Sequence, residues 1–160
     1  LEGMYYSGVR PNEILKVEAH EYHPGLKAWI LAEHKTAEKM GDKTIVLTDH
    51  LVSITERRIA SNPTGAIFRD QWDKPMSVKA LLGRIQRIAR KVGITRNICS
   101  YFFRHTFTHD LILKDMSNAK IAALLGLSSP KYIESNYGHI KQRVASLQNE
   151  LDSLRGHRAS

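Results

Sequence analysis

Arginine and tyrosine residues in three separated segments carry side chains suited to chemistry on a phosphate group. Arg10 lies two residues after Gly8 and three before Glu13, Arg104 lies in an aromatic-rich run, and Tyr137 follows further along the chain. Guanidinium groups stay charged at ordinary pH and can hold two phosphate oxygens at once. A tyrosine hydroxyl, with an ordinary pKa near 10, is only about one part in 10³ ionised at pH 7, and nearby cations ease its ionisation. If the fold brings these residues together, they can attack a phosphodiester and stabilise the charge that develops on it.

The balance of charges is consistent with a polyanionic partner. The 160 residues include 24 Lys and Arg against 16 Asp and Glu, for a formal charge of +8. A basic domain attracts nucleic acid, but many basic proteins bind none, so composition does not decide. One predicted helix, over residues 77–92, presents five cations with no anion between them: Lys79, Arg84, Arg87, Arg90 and Lys91. Such a face is either a solvated surface or a track for DNA phosphates.

The elements that must position these residues form a mainly helical α+β domain with one small antiparallel three-stranded sheet. Helices are predicted over residues 11–17, 49–60, 77–92, 101–113, 118–125, 129–137 and 139–154. Four of them are expected to begin at a hydroxyl residue: Thr48, Ser77, Ser100 and Ser117. Strands are predicted over residues 28–31 and 44–47, with a third at 66–68. Lys35 lies in the polar connection between the first two strands. The sequence therefore predicts a hairpin with a long, basic tip.

Several classes of protein are disfavoured by what the sequence lacks. No apolar run approaches the ~20 residues that span a bilayer, and no signal peptide is visible. The single cysteine, Cys99, cannot form an internal disulfide, so we expect a cytoplasmic protein with Cys99 in its core. His20 and His23 lack Cys or acidic partners at ligand spacing, and we interpret them as loop residues and predict no metal site.

Three segments, taken together, resemble the tyrosine recombinase (phage integrase) family over most of the chain. Residues 7–15 (SGVRPNEIL) resemble the stretch around the family's first catalytic arginine. Residues 101–107 (YFFRHTF) resemble its H-x-x-R box followed by His-Thr-Phe. Residues 124–129 (LLGLSS), with Tyr137-Gly138-His139 beyond them, resemble its L-L-G-H-S-S segment and the nucleophilic tyrosine that follows. Their order and spacing agree with the family, which makes the combination far more specific than any one motif.

The resemblance implies a catalytic domain that cuts and rejoins double-stranded DNA. In this interpretation Tyr137 attacks the phosphodiester, Arg10 and Arg104 stabilise the transition state, and Lys35, where the family places its lysine, protonates the departing 5′ oxygen. The resulting 3′-phosphotyrosyl link conserves the bond energy, so no ATP, metal or other cofactor is implied, and no small-molecule substrate. Glu13 would brace Arg10.

Other residues are rivals or supports for these roles. Lys39 and Lys43 share the hairpin with Lys35 and are candidates for solvated tip residues. Tyr132 has the wrong offset for the nucleophile and is expected to pack. His105 is expected to be a packed or phosphate-adjacent helix residue, and His139 follows the tyrosine as it often does in the family.

Two positions depart from the family pattern. Tyr101 stands in place of the histidine of H-x-x-R and can still donate a hydrogen bond, though as a neutral group. Leu127 stands in place of a histidine or tryptophan and offers no donor. The loss of one transition-state donor costs about 3–4 kcal/mol, so a slower enzyme is predicted unless His105 or His139 compensates.

The resemblance also implies a missing N-terminal DNA-binding domain and action as a multimer, a tetramer on DNA. The apolar spacing of the last helix makes it a candidate for a contact between protomers. Three alternatives remain open at this stage. They are a catalytically weakened DNA-binding module of the same fold, an enzyme like type IB topoisomerases, and a structural helical protein without DNA affinity.

Overall fold

Seven α-helices and a three-stranded sheet make up the part of the chain that the computed structural model describes, residues 1–32 and 41–156. The helices are α1 (Glu2–Ser7), α2 (Pro11–Lys16), α3 (Asp49–Ser61), α4 (Val78–Lys91), α5 (Tyr101–Leu113), α6 (Asn118–Leu125) and α7 (Lys131–Gly156). The strands are β1 (Tyr22–His23), β2 (Ala28–Leu31) and β3 (Lys43–Val46). The predicted α+β class, mainly helical with a small antiparallel sheet, is confirmed.

Hydroxyl caps begin three of the helices at the predicted positions. The backbone N–H of Leu51 donates to the Thr48 hydroxyl ahead of α3, and corresponding bonds to Ser77 and Ser117 begin α4 and α6. Ser100 was predicted to cap α5 in the same way, and this is wrong. Its backbone is already helical (φ −63°, ψ −26°), a conformation from which its side chain makes no capping bond. Cys99 beside it is exposed, so its predicted place in the core is also wrong.

The sheet has the order β1-β2-β3 with antiparallel pairs throughout, and Trp29 of β2 lies between Tyr22 and Ile45. The third strand is therefore β1, so the interpretation of His23 as a loop residue and the prediction of a strand at 66–68 are both wrong. Ala66 forms only an isolated bridge with Glu18. Phe68 contributes to packing, and its ring meets the Trp29 ring edge-on at a centroid distance of 5.7 Å.

Two apolar clusters hold these elements together. The larger one surrounds Trp29, which is fully buried, and combines the sheet with α1 to α4. The smaller one joins α5, α6 and α7 and includes Ile112, Leu125 and Tyr137. Tyr137 is thus fixed by packing in the second cluster.

Helix α7 runs without interruption through Tyr137, Gly138 and His139, so the predicted break between two helices at this point is wrong. An interior glycine costs roughly 0.5–1 kcal/mol relative to alanine but does not stop a helix. Ile133, Tyr137 and Ile140, spaced four and three residues apart, pack on the second cluster and offset that cost. Although α7 is 26 residues long, no helix in the described part of the chain has the length and apolar character needed to cross a membrane.

Gly126 and Gly138 provide a matched test of where the structure leaves room for a side chain. Gly126 ends α6 with φ +60°, and a Cβ there would lie 2.5 Å from Lys43 Cε, whereas a Cβ at Gly138 meets nothing within 4 Å. We predict that Gly126→Ala lowers the free energy of unfolding by at least about 1 kcal/mol, because alanine is strained at positive φ and Lys43 must move. Gly138→Ala should raise it by about 0.5–1 kcal/mol. Urea unfolding measures both, and an unchanged stability for Gly126→Ala would contradict this account.

Candidate active site

Arg104 connects three parts of the chain that are far apart in sequence. It projects from α5, and its Nη1 donates to the carbonyl of Gly8 at 2.7 Å while Nη2 donates to the carbonyl of Leu125 at 2.9 Å. Gly8 caps the end of α1 two residues before Arg10, and Leu125 is the last residue of α6. A guanidinium has five N–H groups, so these two bonds leave others that can bind an anion.

The close approach of Gly8 to α5 requires glycine. Its φ of +61° is left-handed, and a Cβ would collide with the Phe107 ring. This contact lets the Gly8 carbonyl reach Arg104. It supplies a physical reason for a glycine two residues before Arg10.

Arg10 is held by Glu13 at the start of α2. The backbone N–H of Arg10 donates to Glu13 Oε2 at 3.0 Å, and Nη1 of the same arginine donates to Oε1 at 2.8 Å. Burial by itself raises the pKa of the Glu13 carboxyl. The hydrogen bond and charge of Lys43, together with the hydrogen bonds from Arg10, outweigh burial and hold that pKa below its usual value. Glu13 is therefore a buried anion that braces Arg10.

Lys43 is the second partner of Glu13, a role that was not predicted from the sequence. Its Nζ donates to Glu13 Oε2 at 2.6 Å, and its side chain is only 4% exposed, so its interpretation as a solvated tip residue is wrong. Burial and the neighbouring charges of Arg10 and Arg104 lower its pKa to about 8, against the effect of Glu13. A signal was present in the sequence, because the two-residue alternation of β3 places Lys43 on the same face as buried Ile45.

The cluster carries more positive charge than Glu13 neutralises. Burial, followed by the charge of Arg10, lowers the pKa of Arg104 to about 10, which still leaves the guanidinium charged at neutral pH. Arg10 and Lys43 share the carboxylate of Glu13, and Arg104 lies close enough to influence Lys43. Such a cluster attracts a phosphate.

Tyr137 meets α5 one residue beyond Arg104. Its hydroxyl hydrogen-bonds Nδ1 of His105, and the residue is 9% exposed. Burial, and then the neighbouring Tyr132, raise the pKa of Tyr137, while a hydrogen bond with Thr108 and the charge of Arg104 act in the opposite direction. The hydroxyl is therefore mainly protonated at neutral pH, and its hydrogen bond with Nδ1 joins it to the exposed residue His105.

Two further tyrosines flank Arg104. Tyr101, three residues earlier on the same helix, is 48% exposed, and Tyr132 in the first turn of α7 is 47% exposed. Both lie near enough to affect the pKa of Arg104. The expectation that Tyr132 packs in the interior is wrong, because the second cluster takes Ile133 and Tyr137 from this stretch of α7 instead.

The other predicted site residues have varied surroundings. Leu127 packs against the second cluster, and its backbone N–H donates to the Ala122 carbonyl at 2.9 Å. His139 is exposed on α7. Lys35 and Lys39 fall in the segment 33–40, which lies outside the described residues.

Of the cations on α4, Arg84 is half-buried and four are exposed: Lys79, Arg87, Arg90 and Lys91.

Comparisons with known families and structures identify the family and the fold of this chain. The model of the phage integrase family matches residues 1–143. The chain belongs to the phage integrase family. No curated protein matches this sequence significantly.

Solved structures share the fold of this phage integrase family member. The XerA recombinase is 16% identical with a TM-score of 0.72, over 91% of this chain and 55% of that protein. A Tn1549 transposon integrase in complex with transposon right end DNA is 16% identical with a TM-score of 0.70, over 91% and 56%. The XerH recombinase in a post-cleavage complex with a palindromic difH substrate is 17% identical with a TM-score of 0.72, over 92% and 43%. The chain spans about half the length of these proteins, and the likeness shows the fold.

The buried pair of Lys43 and Glu13 generates a prediction on stability. Lys43→Met leaves the buried carboxylate with Arg10 as its remaining described partner, so we expect it to lower the free energy of unfolding by roughly 3 kcal/mol. The double variant Glu13→Gln/Lys43→Met removes both charges and should recover part of this loss. Urea unfolding at pH 7 measures the free energy of unfolding of both variants. If Lys43→Met were as stable as the wild type, the pairing of Lys43 with Glu13 would be contradicted.

The same pair predicts how the difference in stability between the wild type and Lys43→Met depends on pH. The pKa of Lys43 falls from 10.5 to about 8 in the fold, so between these values the unfolded chain binds more protons than the native one. The contribution of Lys43 to the free energy of unfolding therefore rises with pH between the two pKa values. The stability advantage of the wild type over Lys43→Met should widen between pH 8 and pH 10. A constant or narrowing advantage would show that the pKa is not lowered.

Proposed function

We propose that this recombinase cuts and rejoins DNA at specific sites, with Tyr137 as the nucleophile. The observation that carries the proposal is the pair of bonds from Arg104 to the carbonyls of Gly8 and Leu125. These bonds hold Arg104 next to the segment that leads to Arg10 and to the end of α6, which packs with Tyr137 of α7 in the second cluster. Fold and family are those of tyrosine recombinases and integrases.

In the proposed cleavage step, the Tyr137 oxygen forms a bond to phosphorus as the bond from phosphorus to the 5′ oxygen breaks. Arg10 and Arg104 hold the non-bridging oxygens and stabilise the charge of the phosphorane-like transition state. Lys35 supplies a proton to the departing 5′ oxygen. The reverse reaction, with the 5′ hydroxyl of another strand, completes strand exchange.

The proton of Tyr137 needs an acceptor, because burial raises the pKa of its hydroxyl. His105 is suited to this task, since its Nδ1 already hydrogen-bonds that hydroxyl and an imidazole nitrogen without a proton can accept one. The sequence predicts His105 as a packed or phosphate-adjacent residue; it is exposed on α5, and we propose that it accepts the proton of the nucleophile.

A weakened DNA-binding module of the same fold is the second candidate function. Leu127 favours it, because this residue packs against the second apolar cluster and offers no donor where the family has a histidine or tryptophan. In the active enzyme, the hydroxyl of Tyr101 beside Arg104 would supply a substitute contact to the phosphate.

Double-stranded DNA is the proposed partner, bound by the cations of α4 and the active-site cluster. The neighbouring structures include an integrase in complex with transposon DNA and a recombinase bound to a difH substrate, which supports this choice. We further propose that the protein acts in the cytoplasm as a tetramer on DNA. Val144, Leu147 and Leu151 on α7 are apolar and exposed, and they would supply the contact between protomers.

A covalent adduct tests the nucleophile. The wild-type protein is incubated with a pool of nicked duplexes of randomised sequence, in which cleavage releases a short fragment and traps the enzyme. Tyr137→Phe should abolish the adduct, whereas the matched Tyr132→Phe should still form it. Denaturing electrophoresis followed by peptide mapping identifies the linked residue. The absence of an adduct with the wild type would favour the binding module, and a link to Tyr132 would contradict the assignment.

The role of Lys35 is tested by changing the leaving group. A 5′-bridging sulfur departs as a thiolate without needing a proton, so it should restore cleavage by Lys35→Ala to near the wild-type rate. Lys43→Ala, which affects the bracing of Arg10, should remain slow on both substrates. Single-turnover cleavage rates provide the comparison. If Lys43→Ala is rescued and Lys35→Ala is not, the general acid is Lys43.

A further inference from the structure

A groove between Trp72 and helix α4 is formed by groups that suit a nucleic acid strand. The geometry points to this groove as the binding place for the sugar-phosphate backbone of duplex DNA, with the Trp72 indole against a deoxyribose and Arg84, Arg87 and Arg90 on the adjacent phosphates. This inference rests on the proposed function and adds a contact that none of the sequence motifs contains.

Trp72 is presented by a hydrogen-bonded turn. Oδ1 of Asp70 accepts the backbone N–H groups of Trp72 at 2.9 Å and Lys74 at 3.1 Å, and the Asp70 N–H donates to the Lys74 carbonyl at 2.8 Å. Arg69 and Asp73 add an ion pair of 3.2 Å across the turn. The indole is nevertheless 71% exposed. Tryptophan is enriched at binding interfaces, where one end of its ring can be apolar and the other in water.

Helix α4 forms the other wall of the groove. Ala80 and Gly83 leave room next to the turn, and a Cβ at Gly83 would meet nothing within 4 Å. Arg84, Arg87 and Arg90 follow at intervals of three residues and line the same cavity as Trp72, with a volume of about 310 Å³. The arrangement places an apolar ring opposite a row of guanidinium groups, which matches a sugar next to its phosphates.

The charge of this surface favours DNA over a protein partner. Helix α4 contains no acidic residue, and Lys79 and Lys91 extend its cationic face beyond the groove. The carboxylate of Asp70 lies at the groove but already accepts two backbone N–H groups. Contacts to sugar and phosphate carry no base information, so binding here should be independent of sequence and strongly dependent on salt.

Tryptophan fluorescence tests the inference directly, because the chain contains two tryptophans in opposite settings. Trp29 is fully buried, whereas Trp72 is exposed. Titration with a duplex oligonucleotide of arbitrary sequence should quench the emission of the wild-type protein in parallel with binding measured by anisotropy. Trp72→Phe should bind the duplex with little or no quenching. Quenching that persists in Trp72→Phe, or saturating binding without quenching in the wild type, would overturn the proposal.

Matched variants separate the groove from general charge effects. Trp72→Ala removes the apolar contact with the sugar and should weaken duplex binding about tenfold. Arg87→Gln should weaken it and reduce the slope of log affinity against log salt by about 1. Arg57→Gln, the same change at an exposed arginine on α3, should do neither. Gly83→Glu places an acid in the groove and should weaken binding, whereas Gly83→Ala should not. Equal effects of Arg87→Gln and Arg57→Gln would contradict a localised site.

A failure of the groove proposal can be distinguished from a failure of the proposed recombinase function. Quenching by duplex DNA without any covalent adduct would support the groove and reject the recombinase chemistry. A Tyr137 adduct without Trp72 quenching would reject the groove alone. If the groove instead binds a second copy of this chain, light scattering without DNA should show an assembly that Trp72→Ala dissociates, and this result would also overturn the proposal.

Discussion

The two hydrogen bonds from Arg104 to backbone carbonyls are the constraint on which the rest of the site depends. Gly8 ends α1 and Leu125 ends α6, and the last carbonyls of a helix lack partners within it. A cation placed at two such ends satisfies both carbonyls and complements both helix dipoles. Arg104 therefore joins the two apolar clusters at their boundary. The residue proposed to stabilise the transition state is thus bound to the segment that leads to Arg10 and to the end of α6, which packs with Tyr137 in the second cluster.

The surroundings of Arg104 explain why buried charges are tolerated at this boundary. Glu13 binds both Arg10 and Lys43, and the hydrocarbon part of Lys43 passes close to Gly126 at the end of α6. A larger residue at Gly126 would displace Lys43, and the loss of Lys43 would leave Glu13 with one fewer counter-ion. Positioning of the arginines and stability of the fold thus depend on the same few contacts. Substitutions in this cluster are expected to alter both properties.

The sequence predicted the elements with strong local signals and the residues with a characteristic spacing. Thr48, Ser77 and Ser117 marked helix starts, and the three motif segments pointed to Arg10 and Arg104. Features determined by tertiary packing were missed. Strand β1 is too short for a periodic signal, and Gly138 reads as a break although Ile133, Tyr137 and Ile140 keep α7 continuous. The burial of Lys43 depends on Glu13, 30 residues away in the chain, and the contact of His105 with Tyr137 joins helices that local patterns treat separately.

A structure of the protein bound to a duplex with a phosphate at a nick would test the central claim most directly. The account predicts that the phosphate lies against the guanidinium groups of Arg10 and Arg104, with the Tyr137 hydroxyl oxygen turned toward phosphorus and His105 still within hydrogen-bonding distance of it. Arg104 should retain its bonds to Gly8 and Leu125 in that complex. A phosphate bound elsewhere, or a Tyr137 hydroxyl directed away from a phosphate held by the two arginines, would contradict the account.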